Sequence, residues 1–260
     1  MFRLTLRAAV VLAATLLLCA ALPLIHAQDS TPFRVYLTFE DGPTRAYTPQ
    51  ILDILAEYDA KATFFVNGWQ IAGKEDILQR ILREGHALGN HLWKEVGYYA
   101  GTPDEKVIAA YYETEAAIRA ALGADVLPPY DAQPKLFRQP GGGGHALILP
   151  EGEPVISYNW NVDGDDCGFR LPESVDPNNF DQFVLDNVLG VPHPPDHLYN
   201  AYDYGDGVII VLHDINRVTG RVLPVILKEL QAAGATFLAL PRPGDQPNTQ
   251  PVALGVPPGR

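Results

Sequence analysis

The sequence predicts an α/β fold in which a mainly parallel sheet, open or closed into a barrel, is covered by crossover helices. Three observations lead there. Short apolar runs rich in β-formers alternate with segments of helical periodicity. Polar, reactive residues recur directly after those runs. The chain has 260 residues, 47% hydrophobic and 19% charged, which suits one sizeable core and is short for two full domains.

Taken in order, Val35–Phe39 reads as a strand, and Ile51, Leu52, Ile54, Leu55 and Tyr58 then repeat at helical spacing. Ala62–Val66 is strand-like. Ile77, Leu78, Ile81 and Leu82 mark a second helix, stopped by Gly85. His86–Asn90 reads as another strand. Thr102-Pro103-Asp104-Glu105 combines a capping box with proline at the first helical position and opens a long helix to about Leu122. The stretch 123–134 reads as a proline-containing loop. Leu136–Arg138, Val155–Trp160 and Val208–Leu212 read as further strands, and 190–206 as a long loop of the kind that often carries function. Leu223, Ile226, Leu227 and Leu230 mark the last helix, and Thr236–Leu240 the last strand. Residues 241–260, rich in Pro, Gly and Gln, read as a loose tail.

Residues 1–27 have the pattern of a secretory signal: Arg3 and Arg7, then an apolar run from Ala8 through Leu22, with a cut expected after Ala27. A retained membrane anchor is the other reading of the same run. Export with cleavage would leave no integral membrane span. Loss of Arg3 and Arg7 would take the 19 basic residues to 17 against 31 acidic ones, and the net charge from −12 to −14. Such a charge argues against nucleic acid and anionic membranes as partners. Of two cysteines, Cys19 falls in the signal-like segment, so Cys167 would have no partner for an intrachain disulfide.

The chemistry lies at the strand ends. Glu40-Asp41, His91, Arg138, the group Asp163, Asp165 and Asp166, and His213-Asp214 each follow an expected strand. In a parallel barrel these ends converge on one face, so histidines, carboxylates and an arginine distant in sequence can share a pocket suited to metal-assisted hydrolysis.

These residues also resemble a known family. Thr38-Phe39-Glu40-Asp41-Gly42-Pro43 is similar to the T-F-D-D-G-P motif of polysaccharide deacetylases, the NodB-homology group of carbohydrate esterase family 4. Ala62–Gly68 resembles the strand that follows it, Gly85–His91 the lead into H-[ST]-x-x-H, and Phe137–Gly142 the third motif. Trp160–Asp166 resembles the fourth, which usually ends D-W, and Val211-Leu212-His213-Asp214 the fifth. The likeness runs over roughly residues 33–240 in the family's order.

The resemblance implies a distorted (β/α) barrel and removal of acetyl groups from N-acetylated sugars in chitin, peptidoglycan or related polymers, so an acetylated carbohydrate is the expected partner. It implies a divalent metal, zinc by family habit, on Asp41 and His91. It makes Arg138 the residue that orients the base, His213 the acid that protonates the leaving amine, and Asp166 its tuner. Four positions depart from the pattern. Glu40 stands at the base, one methylene longer than aspartate, or serves only as a turn carboxylate. Leu92 replaces the Ser/Thr after the first histidine. Glu95 stands where the second metal histidine belongs; it keeps the i, i+4 spacing and either ligates or is a solvated residue. An Asp41–His91–Glu95 set would tolerate manganese, magnesium or calcium better than an Asp–His–His set. Cys167 replaces the tryptophan beside Asp166. His193 and His197 are substitute ligands or ordinary loop residues, His145, after four glycines, either reaches the pocket or is a loop residue, His86 is read as structural, and Trp93, Tyr199, Tyr202 and Tyr204 either stack on sugars or pack. A metal-dependent hydrolase of amide bonds on acetylated carbohydrate is thus expected, with a catalytically impaired glycan- or wall-binding barrel as the alternative.

Overall fold

The computed structural model describes residues 33–94, 103–142, 147, 149–150, 155–167, 175–190 and 200–244. The signal-like segment, Glu95, Thr102, His145, His193, His197, Tyr199 and the tail beyond residue 244 lie outside them.

Eight strands form one sheet: β1 (Phe33–Glu40), β2 (Ala62–Val66), β3 (Ala87–Asn90), β4 (Lys135–Phe137), β5 (Val155–Ser157), β6 (Val162–Asp163), β7 (Val208–His213) and β8 (Ala235–Phe237). The order is β5-β4-β3-β2-β1-β7-β6, and every pairing is parallel. The first half of β1 pairs with β8 and its second half with β2. Helices α1 (Thr48–Glu57), α2 (Glu75–Arg83), α3 (Asp104–Ala121), α4 (Leu127–Ala132), α5 (Phe180–Leu189), α6 (Ala201–Tyr204) and α7 (Arg217–Ala232) connect the strands. Among the described residues no helix is long and apolar enough to cross a membrane.

Alternation along the strands divides the core. Val35, Leu37 and Phe39, Phe64 and Val66, and Val208, Ile210 and Leu212 point to the helices and pack with Ile51, Leu55, Ile81, Ile226 and Leu230. The intervening residues Tyr36, Phe65, Ala87, Leu136 and Ile209 make a second cluster on the opposite, concave face. Both faces are covered, which is why the strands read as continuous apolar runs. The sheet is strongly curled. In a flat sheet β4 and β1, three strand spacings apart, would be about 14 Å distant. Instead Arg138, the residue after β4, reaches the β1 residue Thr38, with Nη1 2.7 Å from Oγ1. Gly89 permits the curl: a Cβ there would lie 2.4 Å from the Phe65 ring.

The strand and helix order follows the sequence expectation, with local corrections. The 123–134 loop contains α4, started by prolines in its first turn. The run at 155–160 is a strand only to Ser157. The last strand begins at Ala235 and ends at Phe237. Pro103 is the residue before α3 rather than its first helical residue. Three elements escaped the sequence reading: β6, α5, and α6, which lies in the stretch read as a loop over 190–206 and is capped by Asn200. Phe180, Phe183, Val184 and Val188 carry a helical spacing that could have revealed α5.

Candidate active site

The period of two that builds the concave face also builds the site. The inward row Tyr36, Thr38 on β1 ends in Glu40; Ala87, Gly89 on β3 leads to His91; Leu136 on β4 leads to Arg138; and Ile209, Val211 on β7 ends in His213. Each reactive residue is the next inward member of its strand, placed at the carboxyl end. The register agrees, since Glu40 pairs with His213 across β1 and β7. Asp41 breaks the alternation through a left-handed backbone, φ 72°, which an aspartate tolerates. Its carboxylate thereby joins the same cleft.

Arg138 organises one side. It is fully buried, and its guanidinium lies 4.3 Å from the centre of the Phe65 ring. Nε donates to the Tyr158 carbonyl at 3.0 Å, Nη2 to Asn159 at 3.3 Å, and Nη1 to Thr38 Oγ1 and, at 3.0 Å, to Glu40 Oε1. Burial lowers its pKa, opposed by the Glu40 charge; an arginine stays protonated regardless. Glu40 is thus held through one oxygen, leaving Oε2 3.4 Å from His91 Nε2 and 3.8 Å from His213 Nε2.

His91 is fixed by its other nitrogen, with Nδ1 2.8 Å from the Arg138 carbonyl oxygen. A carbonyl only accepts, so Nδ1 carries the hydrogen and Nε2 presents a lone pair in the neutral ring. That lone pair faces Glu40 Oε2 and, also at 3.4 Å, Asp41 Oδ1. Burial alone would depress the His91 pKa; Glu40 and Asp41 outweigh it and raise it. Without a cation the ring is drawn toward protonation. With one, the donor set fits: oxygen and nitrogen ligands at 2.0–2.2 Å around a tetrahedral ion lie about 3.4 Å apart. Asp41 and His91 have that separation. Glu95, the expected third ligand, lies outside the described residues.

His213 is held from the other side. Its Nδ1 is 2.7 Å from Asp166 Oδ1, and its backbone N–H donates to Asp166 Oδ2 at 2.9 Å. The Thr219 hydroxyl sits against Asp166 Oδ2 and 2.7 Å from the His213 carbonyl oxygen. Burial would depress this histidine too, but the bonds to Asp166 and Cys167 and the charge of Glu40 hold it well above the usual range. Asp214 points away from the ring and braces the turn after β1. It accepts from the Thr48 hydroxyl at 2.6 Å, and a Cβ on Gly42 would strike its carboxylate at 2.1 Å. Burial and the nearby Asp41 raise its pKa to about 7, against the Thr48 bond.

Six of the seven residues expected to form the site therefore meet in one cleft: Glu40, Asp41, His91, Arg138, Asp166 and His213. Thr219, Thr48 and Thr38 were not singled out as participants. The sequence held a signal for the first, since Asn216 caps α7 through Val218 and Thr219 and fixes Thr219 in the first turn. His86 is structural as expected; it is buried, and its Nδ1 accepts from the Ala62 N–H. Tyr202 is exposed and Trp93 half-buried.

Carboxylates, imidazoles and a buried guanidinium gathered at the carboxyl ends of a parallel, barrel-like sheet are the arrangement of a β/α-barrel enzyme site. The family model described as "Polysaccharide deacetylase" matches residues 27–151. A peptidoglycan-N-acetylglucosamine deacetylase of Bacillus cereus is 28% identical over 213 residues, 79% of this chain and 85% of that protein. The Listeria monocytogenes deacetylase PgdA is 29% identical over 80% of this chain, which spans only 38% of PgdA. Among solved structures, the Bacillus subtilis peptidoglycan deacetylase PdaC superposes with a TM-score of 0.62 at 26% identity, covering 82% of this chain and 90% of that one. A Clostridium thermocellum family 4 acetyl xylan esterase, solved with a cobalt ion, gives 0.57 at 25% identity, covering 79% and 87%. The chain is thus similar to polysaccharide deacetylases over about four-fifths of its length.

Proposed function

We propose that this protein is an exported, metal-assisted deacetylase that hydrolyses the N-acetyl amide bonds of sugars in a cell-wall glycan. The observation that carries the reading is the position of Glu40 Oε2, between His91 Nε2 at 3.4 Å and His213 Nε2 at 3.8 Å. A carboxylate anchored by Arg138 there can take a proton from a water attacking the acetyl carbon. The raised pKa of His213 keeps a proton on the opposite imidazole, ready for the leaving amine nitrogen. Asp166 stabilises the protonated ring and fixes its orientation. Water and amide become acetate and a free amine, with Glu40 and His213 exchanging the protons. Asp41 and His91, with Glu95 as third ligand, would hold a divalent ion, zinc first and manganese, magnesium or calcium as substitutes. Such an ion supplies Lewis acidity to the acetyl carbonyl and the water.

Export rests on the signal-like residues 1–27 and on the wall polymer named for the relatives. The test is acetate release from peptidoglycan or N-acetylglucosamine oligomers after chelation and re-addition of each divalent ion. Release that is restored by metal and lost in H213N supports the reading. Glycan binding without acetate under any of the ions makes the protein a binding barrel, impaired at Glu40 and Glu95.

A further inference from the structure

Next to the histidine on the acid side lies a group that the proposed reaction does not use. Cys167 follows Asp166 on a turn whose preceding residue, Asp165, has φ 55°. The thiol is half-buried and has no disulfide partner. One ligand atom each from Asp166, Cys167 and His213 lie within 4.8 Å of one another, and among the described residues these are the three metal-ligating side chains that cluster so closely. Asp166 is not free to drift: His213, Thr219 and Asn216 all contact its carboxylate. Sulfur, imidazole nitrogen and carboxylate oxygen form a softer donor set than the oxygen and nitrogen of Asp41 and His91. A tetrahedral ion with Zn–S near 2.3 Å and Zn–N near 2.0 Å spaces its donors about 3.5 Å apart. Closing the cluster on one ion thus needs a shift on the order of 1 Å, which a cysteine with a single side-chain torsion on an irregular turn can supply.

We propose that Asp166, Cys167 and His213 form a second, inhibitory metal site that takes a thiophilic divalent ion, zinc in excess or cadmium. Binding replaces the thiol proton, released to solvent, with a metal–thiolate bond. If Nε2 of His213 joins the ion, the nitrogen that faces the cleft is blocked; if Nδ1 joins it, the ring is held neutral, and the N–H that remains on Nε2 is too weak an acid to protonate a leaving amine. Soft metal therefore stops turnover at the acid while the Asp41–His91 side stays intact. The inhibitory consequence rests on the proposed deacetylase chemistry; the site itself does not.

The experiment separates the two. Cadmium is titrated into the full chain carrying C19S, so that Cys167 is the remaining thiol, and into the C19S/C167S variant. Ultraviolet charge-transfer absorption reports cadmium–thiolate bonds without any turnover. The site predicts one equivalent of absorbing cadmium in the first protein and none in the second. It also predicts that, each protein measured against its own rate at low zinc, at least tenfold more zinc is needed to halve acetate release once Cys167 is serine. No thiolate absorption, or equal zinc sensitivity in both proteins, overturns the proposal. Absorption in a protein that releases no acetate keeps the site and refutes only the deacetylase reading.

Discussion

The two ends of β3 carry histidines of opposite character five residues apart. His86, before the strand, is buried against Phe64 and accepts from the Ala62 N–H, and burial together with Lys61 and Arg80 lowers its pKa to about 4. His91, after the strand, is equally buried, yet Glu40 and Asp41 raise its pKa. Burial penalises the charged ring at both ends; at the carboxyl end two carboxylates at 3.4 Å reverse it, whereas Glu84, 3.9 Å from His86 and paired with Arg80, does not. The amino end of the barrel spends its polar groups on holding the chain together, as in the pair of Arg34 with Asp206. The carboxyl end leaves Glu40 Oε2, His91 Nε2 and His213 Nε2 turned toward one another. In the proposed reaction the same residue type thus serves stability or chemistry according to the end of the strand it occupies.

The comparison breaks most readily at His213. H213N should lower kcat by about 10²–10⁴, the usual worth of a positioned general acid, while shifting the urea midpoint little. D166N should lower kcat in the same direction, because it removes the charge that favours the protonated ring. Arg138 tests whether the separation of roles is strict, since it belongs to the cleft and to the core. R138M leaves Glu40 with an unpaired buried charge and frees the carbonyls of Tyr158 and Asn159. Breaking a buried pair in this way costs about 3–5 kcal/mol of stability. Urea unfolding should show that loss together with lost acetate release. R138K should recover most of the stability but not the rate, because an ammonium lacks the fork that spans Glu40, Thr38 and two carbonyls. Full activity in R138K would show that charge alone suffices at this position.

Much of this arrangement was legible because alternation is a property of sequence. Once Val35–Phe39 and Val208–Leu212 are strands, Glu40 and His213 must continue inward rows, and the same holds for His91 and Arg138. The supporting groups were harder to see. Thr219 reaches Asp166 only because α7 starts four residues after His213, and Thr48 meets Asp214 only because α1 folds back beneath the turn. Such contacts depend on how a helix docks, which periodicity does not encode. Asp41 was assigned by motif although its parity points outward, and its left-handed backbone is a tertiary outcome. The short β6 and the limited length of β5 were equally illegible, since two or three residues carry no readable pattern.

Glu40 sharpens the comparison further. E40D withdraws the carboxylate by one methylene from Arg138 Nη1 and from both imidazoles, and displacements of about 1 Å cost up to about 10²-fold in rate. We expect kcat to fall at least tenfold with stability nearly unchanged. A faster E40D would mean that the longer side chain is itself the defect, in favour of the impaired, glycan-binding barrel.

The smallest effect on turnover, and the sharpest contrast with His213, belongs to His86. Its folded pKa, about 4, lies below the ordinary value of 6.5. Between these limits the unfolded chain binds a proton that the folded chain does not, so stability is full above pH 6.5 and is lost as pH falls toward 4. The full excursion is worth about 3 kcal/mol. Urea unfolding of the wild type and of H86Q at pH 7 and pH 4.5 isolates this contribution from other groups that titrate in acid. H86Q should lose less stability between the two pH values, and its acetate release at pH 7 should match the wild type. A change in kcat without a change in the pH dependence of unfolding would show that the amino end of β3 communicates with the cleft, and the division of roles between the two ends would fail.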